Sequence, residues 1–149
     1  MSQPRLRLDH IGIAVAGLAE ARKRYAALLG AEPSPVEEVP SEGVRVSFFE
    51  LAGCRIELLE AIAPDTPVGQ FLAKRGSGVH HVSLGLEEGD IGAWFAELRA
   101  RGVKVLGSGP RPGSGGSQVF FVHPAEADGV LLEFCQGAGE GHEGGSGHR

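Results

Sequence analysis

Residues 8–15, LDHIGIAV, place large apolar side chains at every second position, and residues 79–86, VHHVSLGL, do so again. Period-two alternation predicts a half-buried strand in each stretch. Superposed, His10 falls on His81, and Ile11, Ile13 and Val15 fall on Val82, Leu84 and Leu86. The period then changes. In LAEARKRYAALLG (18–30), Leu18, Ala21, Tyr25, Leu28 and Leu29 recur at helical spacing and Gly30 supplies a stop, which predicts a helix. VRVSFFELA (44–52) and CRIELLEAI (54–62) read as two strands turned about Gly53.

The same order returns downstream. Strand 79–86 is followed by a helix over DIGAWFAELRARG (90–102) with Asp90 as its cap, a short strand VKVLG (103–107), and a hairpin of QVFFVHP (118–124) with GVLLEFCQ (129–136). Between the halves, Thr66 followed by Pro67 has the form of a helix start and predicts a short helix over 67–74.

The internal match reaches beyond the first strand. Gly30 lies 20 residues after His10, and Gly102 lies 21 after His81. GCRIEL (53–58) matches GVLLEF (129–134) and sets Glu57 on Glu133, so the spacing from His to Glu is 47 residues in one half and 52 in the other. A tandem repeat in an α+β fold is expected: a first module over 1–62, a linker over 63–78, a second module over 79–136, and a glycine-rich, flexible tail over 137–149.

Strand geometry sorts these side chains by face. His10 shares a face with Gly12 and Ala14, and His81 with Ser83 and Gly85, while the large apolar neighbours point the other way. Glu57 and Glu133 alternate in the same manner with Ile56 and Leu58, and with Leu132 and Phe134. Each half is therefore expected to hide a core on one face and to present one imidazole and one carboxylate on the other. A single strand histidine is more often packed than ligating. Recurrence at matched positions of two repeats changes that balance. Related by a pseudo-twofold, the four groups would converge, and such a cluster is costly without a cation. Two nitrogen and two oxygen donors suit Co²⁺, Ni²⁺, Mn²⁺, Fe²⁺ or Zn²⁺, with two positions of an octahedral shell left for a bidentate substrate. His80 faces away from His81 and is read as packing or supporting. His123 shapes a turn or lies near substrate, and His142 and His148 fall in the tail.

Charge and composition narrow the function. The balance of 14 basic and 19 acidic residues gives −5, which argues against nucleic acid as the main partner. Cys54 and Cys135 lie in apolar strand-like runs and are expected to be buried thiols rather than a disulfide framework. No apolar run approaches the roughly 18 residues of a membrane span. The N-terminus is not signal-like, so a cytoplasmic protein is expected.

With these residues in place, the chain resembles the vicinal oxygen chelate, glyoxalase-like superfamily. Within it, LDHIGIAV, RIELLEA, DTPVGQFLAKRGSGVHHV, PGSGGSQVFFVHP and GVLLEF resemble the methylmalonyl-CoA epimerase family, across residues 6–136. The resemblance implies two βαβββ modules whose strands curve into an open barrel, and a homodimer. It implies one divalent ion, cobalt first, held by His10, Glu57, His81 and Glu133. The implied reaction interconverts (2R)- and (2S)-methylmalonyl-CoA, an acyl-CoA thioester. Such a reaction needs a base on each face of C2, and carboxylates from two pseudo-symmetric halves, Glu57 and Glu133, are the leading pair.

The chain also departs from the family pattern. Some members carry Gln at the position of Glu57 and a glutamate in the preceding strand, where this chain has Val46; Glu42 and Glu50 are nearby substitutes. Gln118 stands where the glycine-rich loop usually ends in Lys, leaving Arg111, Lys104 or Lys74 to compensate. The rival readings are a glyoxalase I acting on a hemithioacetal, a ring-cleaving dioxygenase, which a fourth protein ligand disfavours, and a metal-free binding protein of the same fold.

Overall fold

The computed structural model describes residues 3–137. The expected tail beyond Gly137, with His142 and His148, lies outside the described residues. The chain divides into two compact units: one is His10–His81, and the other joins the residues up to Asp9 to the chain from Val82 onward. Among the described residues there are eight strands and three α-helices, a mixed α+β fold, and no helix is long and apolar enough to cross a membrane.

The first unit is built from the end of β1 (Arg5–Ala14), from His10 onward, with α1 (Leu18–Leu29), β2 (Glu37–Val39), β3 (Val44–Leu51), β4 (Cys54–Ala61), α2 (Pro67–Arg75) and the start of β5 (Gly78–Glu88). Its strands lie in the order β2-β3-β4-β1. β4 runs antiparallel to β3 and parallel to β1, so His10 to Ala14 register against Arg55 to Leu59. The β3–β4 hairpin turns on Ala52 and Gly53, and Gly53 has a φ of 90°, which explains the glycine there. α1 closes at Gly30, whose N–H donates to the Ala26 carbonyl. At its start Gly17 offers no side chain. Glu60 of β4 substitutes, its carboxylate accepting from the Leu18 N–H at 2.9 Å. α2 is capped as its sequence predicts: Thr66 Oγ1 accepts from the Gly69 N–H, with Pro67 in the first turn.

The second unit holds the start of β1, up to Asp9, and repeats this topology with the rest of β5, α3 (Ile91–Ala100), β6 (Arg111–Pro112), β7 (Gln118–Val122) and β8 (Leu132–Gln136). The order is β5-β8-β7-β6, with β5 parallel to β8 and β7 antiparallel to it. Asp90 caps α3 by accepting from the Ala93 N–H at 2.9 Å. Ile91, Phe95 and Leu98 of α3 pack on Phe120, Val122 and Phe134 of the sheet. Burying each such side chain contributes about 1.5–3 kcal/mol.

Several expectations require correction. The short strand over 103–107 is reduced to a single bridge, Val105 to Val122, because Gly107, Gly109 and Pro110 interrupt it at once. Pairing resumes at Arg111–Pro112. β2, three residues with two exposed glutamates, was not anticipated. Alternation breaks in β1, where the neighbours Asp9 and His10 are both buried. Cys135 is buried, but Cys54 is only half-buried; both are free thiols.

The largest correction concerns the face that carries His10 and Glu57. Part of it is closed by apolar packing. Ala14, Val46, Phe48 and Leu59 on that face pack with Val39, Val44 and Val68, and Phe71 and Leu72 of α2 close over them. On the opposite face, Phe49 and Leu58 pack against Leu18 and Ala21 of α1. Apolar side chains therefore pack on part of each face of this sheet.

Candidate metal centre

Three polar side chains sit inside the first unit. His10 comes from β1, Glu57 from β4 and His81 from β5; they are 5%, 5% and 3% exposed. The parallel pairing of β1 with β4 sets Gly12 against Glu57, two residues along from His10. Gly12 is a matter of space rather than backbone freedom. A Cβ there would overlap the His81 ring, lying 2.6 Å from Nδ1 and 2.7 Å from Nε2. Only a glycine lets the imidazole of β5 lie against β1.

The three donor atoms form a nearly equilateral triangle. His10 Nε2 is 3.1 Å from His81 Nε2, and each nitrogen is 3.2 Å from Glu57 Oε1. The two rings stand at 87° to each other, and the edge of His10 meets Phe48 with centroids 5.6 Å apart. Phe48 is also covered by the Arg55 guanidinium at 4.0 Å. Sequence reasoning overlooked Phe48, although its position opposite Glu57 in the β3–β4 register was the available signal.

Burial alone would raise the Glu57 carboxyl. The charge of His10 and of His81, and their ring nitrogens beside it, more than reverse this and hold it well below the usual carboxylate range. Yet Oε1 is fully buried and completes no hydrogen bond, despite two nitrogens at 3.2 Å. A buried acceptor aimed at a point it shares with two imidazoles fits a cation. Adjacent donors around a first-row divalent ion at about 2.0–2.2 Å are separated by roughly 3.0 Å in an octahedron and roughly 3.4 Å in a tetrahedron. The observed edges fall in that range. His10, Glu57 and His81 form the group able to hold a metal ion among the described residues.

The other sequence candidates are placed as follows. Glu133 is buried on β8, in the second unit, among Ser83, Cys135 and the Arg7–Asp9 pair that contacts at 2.7 Å. Val46 is 1% exposed within the apolar cluster, so no carboxylate stands at that position. Glu50 is exposed on β3, and Glu42 lies in a 3₁₀ turn after β2. His123 shapes its own turn, Nδ1 accepting from the Ala125 N–H at 3.0 Å. His80 meets both Phe71 and His81.

The profile of the Glyoxalase/Bleomycin resistance protein/Dioxygenase superfamily matches residues 9–121. The chain is 39% identical over 132 residues to an ethylmalonyl-CoA/methylmalonyl-CoA epimerase of Cereibacter sphaeroides, covering 87% of this chain and 97% of that one. A solved methylmalonyl-CoA epimerase variant of Streptomyces coelicolor, in complex with 2-nitronate-propionyl-CoA, superposes with a TM-score of 0.83 at 39% identity, over 89% of this chain and 97% of that one. A methylmalonyl-CoA epimerase in complex with methylmalonyl-CoA and NH4+ gives a TM-score of 0.83 at 38% identity, over 92% and 96%.

Proposed function

We propose, from the premise that this chain belongs to the Glyoxalase/Bleomycin resistance protein/Dioxygenase superfamily and within it to the methylmalonyl-CoA epimerases, that it is a cation-dependent epimerase interconverting (2R)- and (2S)-methylmalonyl-CoA. The observation that carries the reading is the buried triangle of His10, His81 and Glu57 in a chain with such relatives. These three residues would hold one divalent ion, cobalt before nickel, manganese, iron or zinc. Glu133 is assigned as a fourth donor by its matched place in the repeat. When bound, the ion supplies a Lewis acid for the negative charge that gathers on the substrate's oxygens as the α-proton leaves.

The protein's own groups move the proton. The C2–H bond breaks, the proton passes to a carboxylate, and the electron pair spreads into the thioester carbonyl. A carboxyl on the opposite face returns a proton to C2 and inverts it. Glu57 and Glu133 are assigned these two roles, one for each face. Val46, packed among Ala14, Phe48 and Leu59, leaves no carboxylate at the position where some relatives carry one, which favours Glu57 as the base on its side. A carboxylate held so firmly ionised is a weak base, so Glu57 must loosen from its imidazole partners during turnover. The burial of the triad, at most 5% exposed at each residue, keeps competing water away from it. We further assign the chain to the cytoplasm, as a homodimer acting on a free acyl-CoA thioester.

The test is exchange of the C2 proton of methylmalonyl-CoA for deuterium in D₂O, followed by NMR, with hemithioacetal turnover assayed in parallel. Exchange that stops on chelation and returns with Co²⁺ is expected. Hemithioacetal turnover without C2 exchange would favour a glyoxalase I, and exchange indifferent to chelation would remove the cation from the reading.

A further inference from the structure

His80 and His81 are neighbours on β5, and successive side chains of a strand ordinarily point to opposite faces. Here their rings meet: His80 Nδ1 lies 2.9 Å from His81 Nδ1, with ring planes at 90°. His81 uses its other nitrogen, Nε2, toward His10 and Glu57. The His80 ring is held in turn by Phe71 of α2, edge to face at a centroid distance of 5.0 Å. The chain of contacts therefore runs from α2 through Phe71 and His80 to the buried ring of His81.

We infer that His80 is a positioning residue for the metal centre, accepting a hydrogen bond from His81 Nδ1–H and so fixing the tautomer and plane in which His81 offers the Nε2 lone pair to a cation. The inference rests on the metal-centre reading above. Its physical basis is the two-nitrogen logic of imidazole. A neutral ring carries one proton, and a ring that ligates through Nε2 must carry it on Nδ1. That N–H is then a buried donor, because His81 is 3% exposed, and leaving it without an acceptor would disfavour the ligating tautomer. His80 Nδ1 is at donor–acceptor distance, and Phe71 restrains the ring that bears it. Gly12 completes the arrangement from the other side, since its missing Cβ leaves room for the His81 ring. His81 is thus set by backbone on one side and by a hydrogen bond on the other.

The experiment compares wild-type protein with His80→Phe, which keeps a flat ring but removes the acceptor, and His80→Asn, which offers an amide oxygen near the position of Nδ1. Zn²⁺ affinity is measured by competition with a chromophoric chelator, and the Nδ1–H proton of His81 is followed by NMR in the Zn²⁺-loaded chains. Loss of a support behind a metal-ligating histidine weakens binding by about 10–100-fold. The expected result is a loss of that size in His80→Phe, with fast solvent exchange of the His81 Nδ1 proton. His80→Asn should recover affinity to within a few-fold and keep the proton protected. A wild-type chain that takes up no Zn²⁺ removes the metal-centre reading, and this inference with it. Wild-type binding matched by equal affinity and equal proton protection in His80→Phe overturns the inference alone. Equal losses in both variants also overturn it, because a packing role does not distinguish an acceptor from a ring.

Discussion

Replacing Gly12 by alanine adds one methyl group and should dismantle the candidate metal centre. The backbone does not forbid it, since Gly12 is absent from the positive-φ positions. The obstacle is the His81 ring, which the new Cβ would overlap while lying 2.6 Å and 2.7 Å from its two nitrogens. Ordinary contacts require about 3.5 Å or more, so the ring must move by roughly 1 Å. His81 is 3% exposed, so that movement displaces packed neighbours. Overpacking of this kind costs about 1–3 kcal/mol, or roughly 3–10 °C in Tm for a chain of this size. The site is less tolerant than the fold, because metal–ligand distances hold to within about 0.2 Å. A triangle with edges of 3.1–3.2 Å cannot lose one corner by that displacement and keep its affinity. Titration with Zn²⁺ and thermal unfolding of the metal-free chain measure the two effects separately. Gly17→Ala is the control, because a Cβ there meets nothing within 4 Å and its φ is −134°. Wild-type affinity and wild-type Tm in Gly12→Ala would refute the steric account and the placement of His81 together.

The other predictions address the ligands, the bases and the thiols. His10→Ala and His81→Ala should each abolish most cation uptake, read as metal per chain after desalting; full retention in both would remove the centre as described. Glu57→Gln and Glu133→Gln keep an oxygen donor but lose the proton acceptor, so both should stop epimerisation while each still exchanges one enantiomer of the substrate in D₂O, with opposite preferences. Exchange of both enantiomers at wild-type rates in both variants would show that neither carboxylate is a base. Burial, with the charges of Asp9 and Glu133, raises the Cys135 thiol well above its ordinary value, so at pH 8 it stays protonated as well as buried. Iodoacetamide should therefore label half-buried Cys54 in the folded chain and spare Cys135 until unfolding, as peptide mass spectrometry would show; early labelling of Cys135 would contradict this.

What could be read from the chain, and what could not, follows the range of each interaction. Period and cap chemistry are local, and the helices begin where Thr66 and Asp90 place them. The gathering of His10 and His81 was legible because β1 and β5 repeat one pattern and put a histidine at the same point of each, and Glu57 followed from the matched strand. β2 and β6 were not legible. Three residues with two exposed glutamates, and an Arg-Pro pair, have no buried face to impose a period. The start of α1 depends on Glu60, 42 residues away, and no local pattern announces such a cap.

The face of the triad was misjudged for a related reason. Alternation assigns residues to faces but does not say what will cover a face. His10, Gly12 and Ala14 looked like an open lining because they are small or polar. The side chains that close over Ala14, Val46 and Leu59 come from α2, through Val68, Phe71 and Leu72. The linker helix, which reads in sequence as a spacer between repeats, therefore has two effects at the site. It covers with apolar side chains the part of that face formed by Ala14, Val46, Phe48 and Leu59, beside His10 and Glu57. It also carries Phe71 against His80, and through that ring reaches His81. Shortening the aromatic in Phe71→Leu keeps most of the apolar cover and removes the edge contact. It should weaken Zn²⁺ binding less than His80→Phe does while leaving the Tm of the metal-free chain within a few degrees. A larger loss of affinity than in His80→Phe would place the main role of α2 in covering the site rather than in steadying the ring.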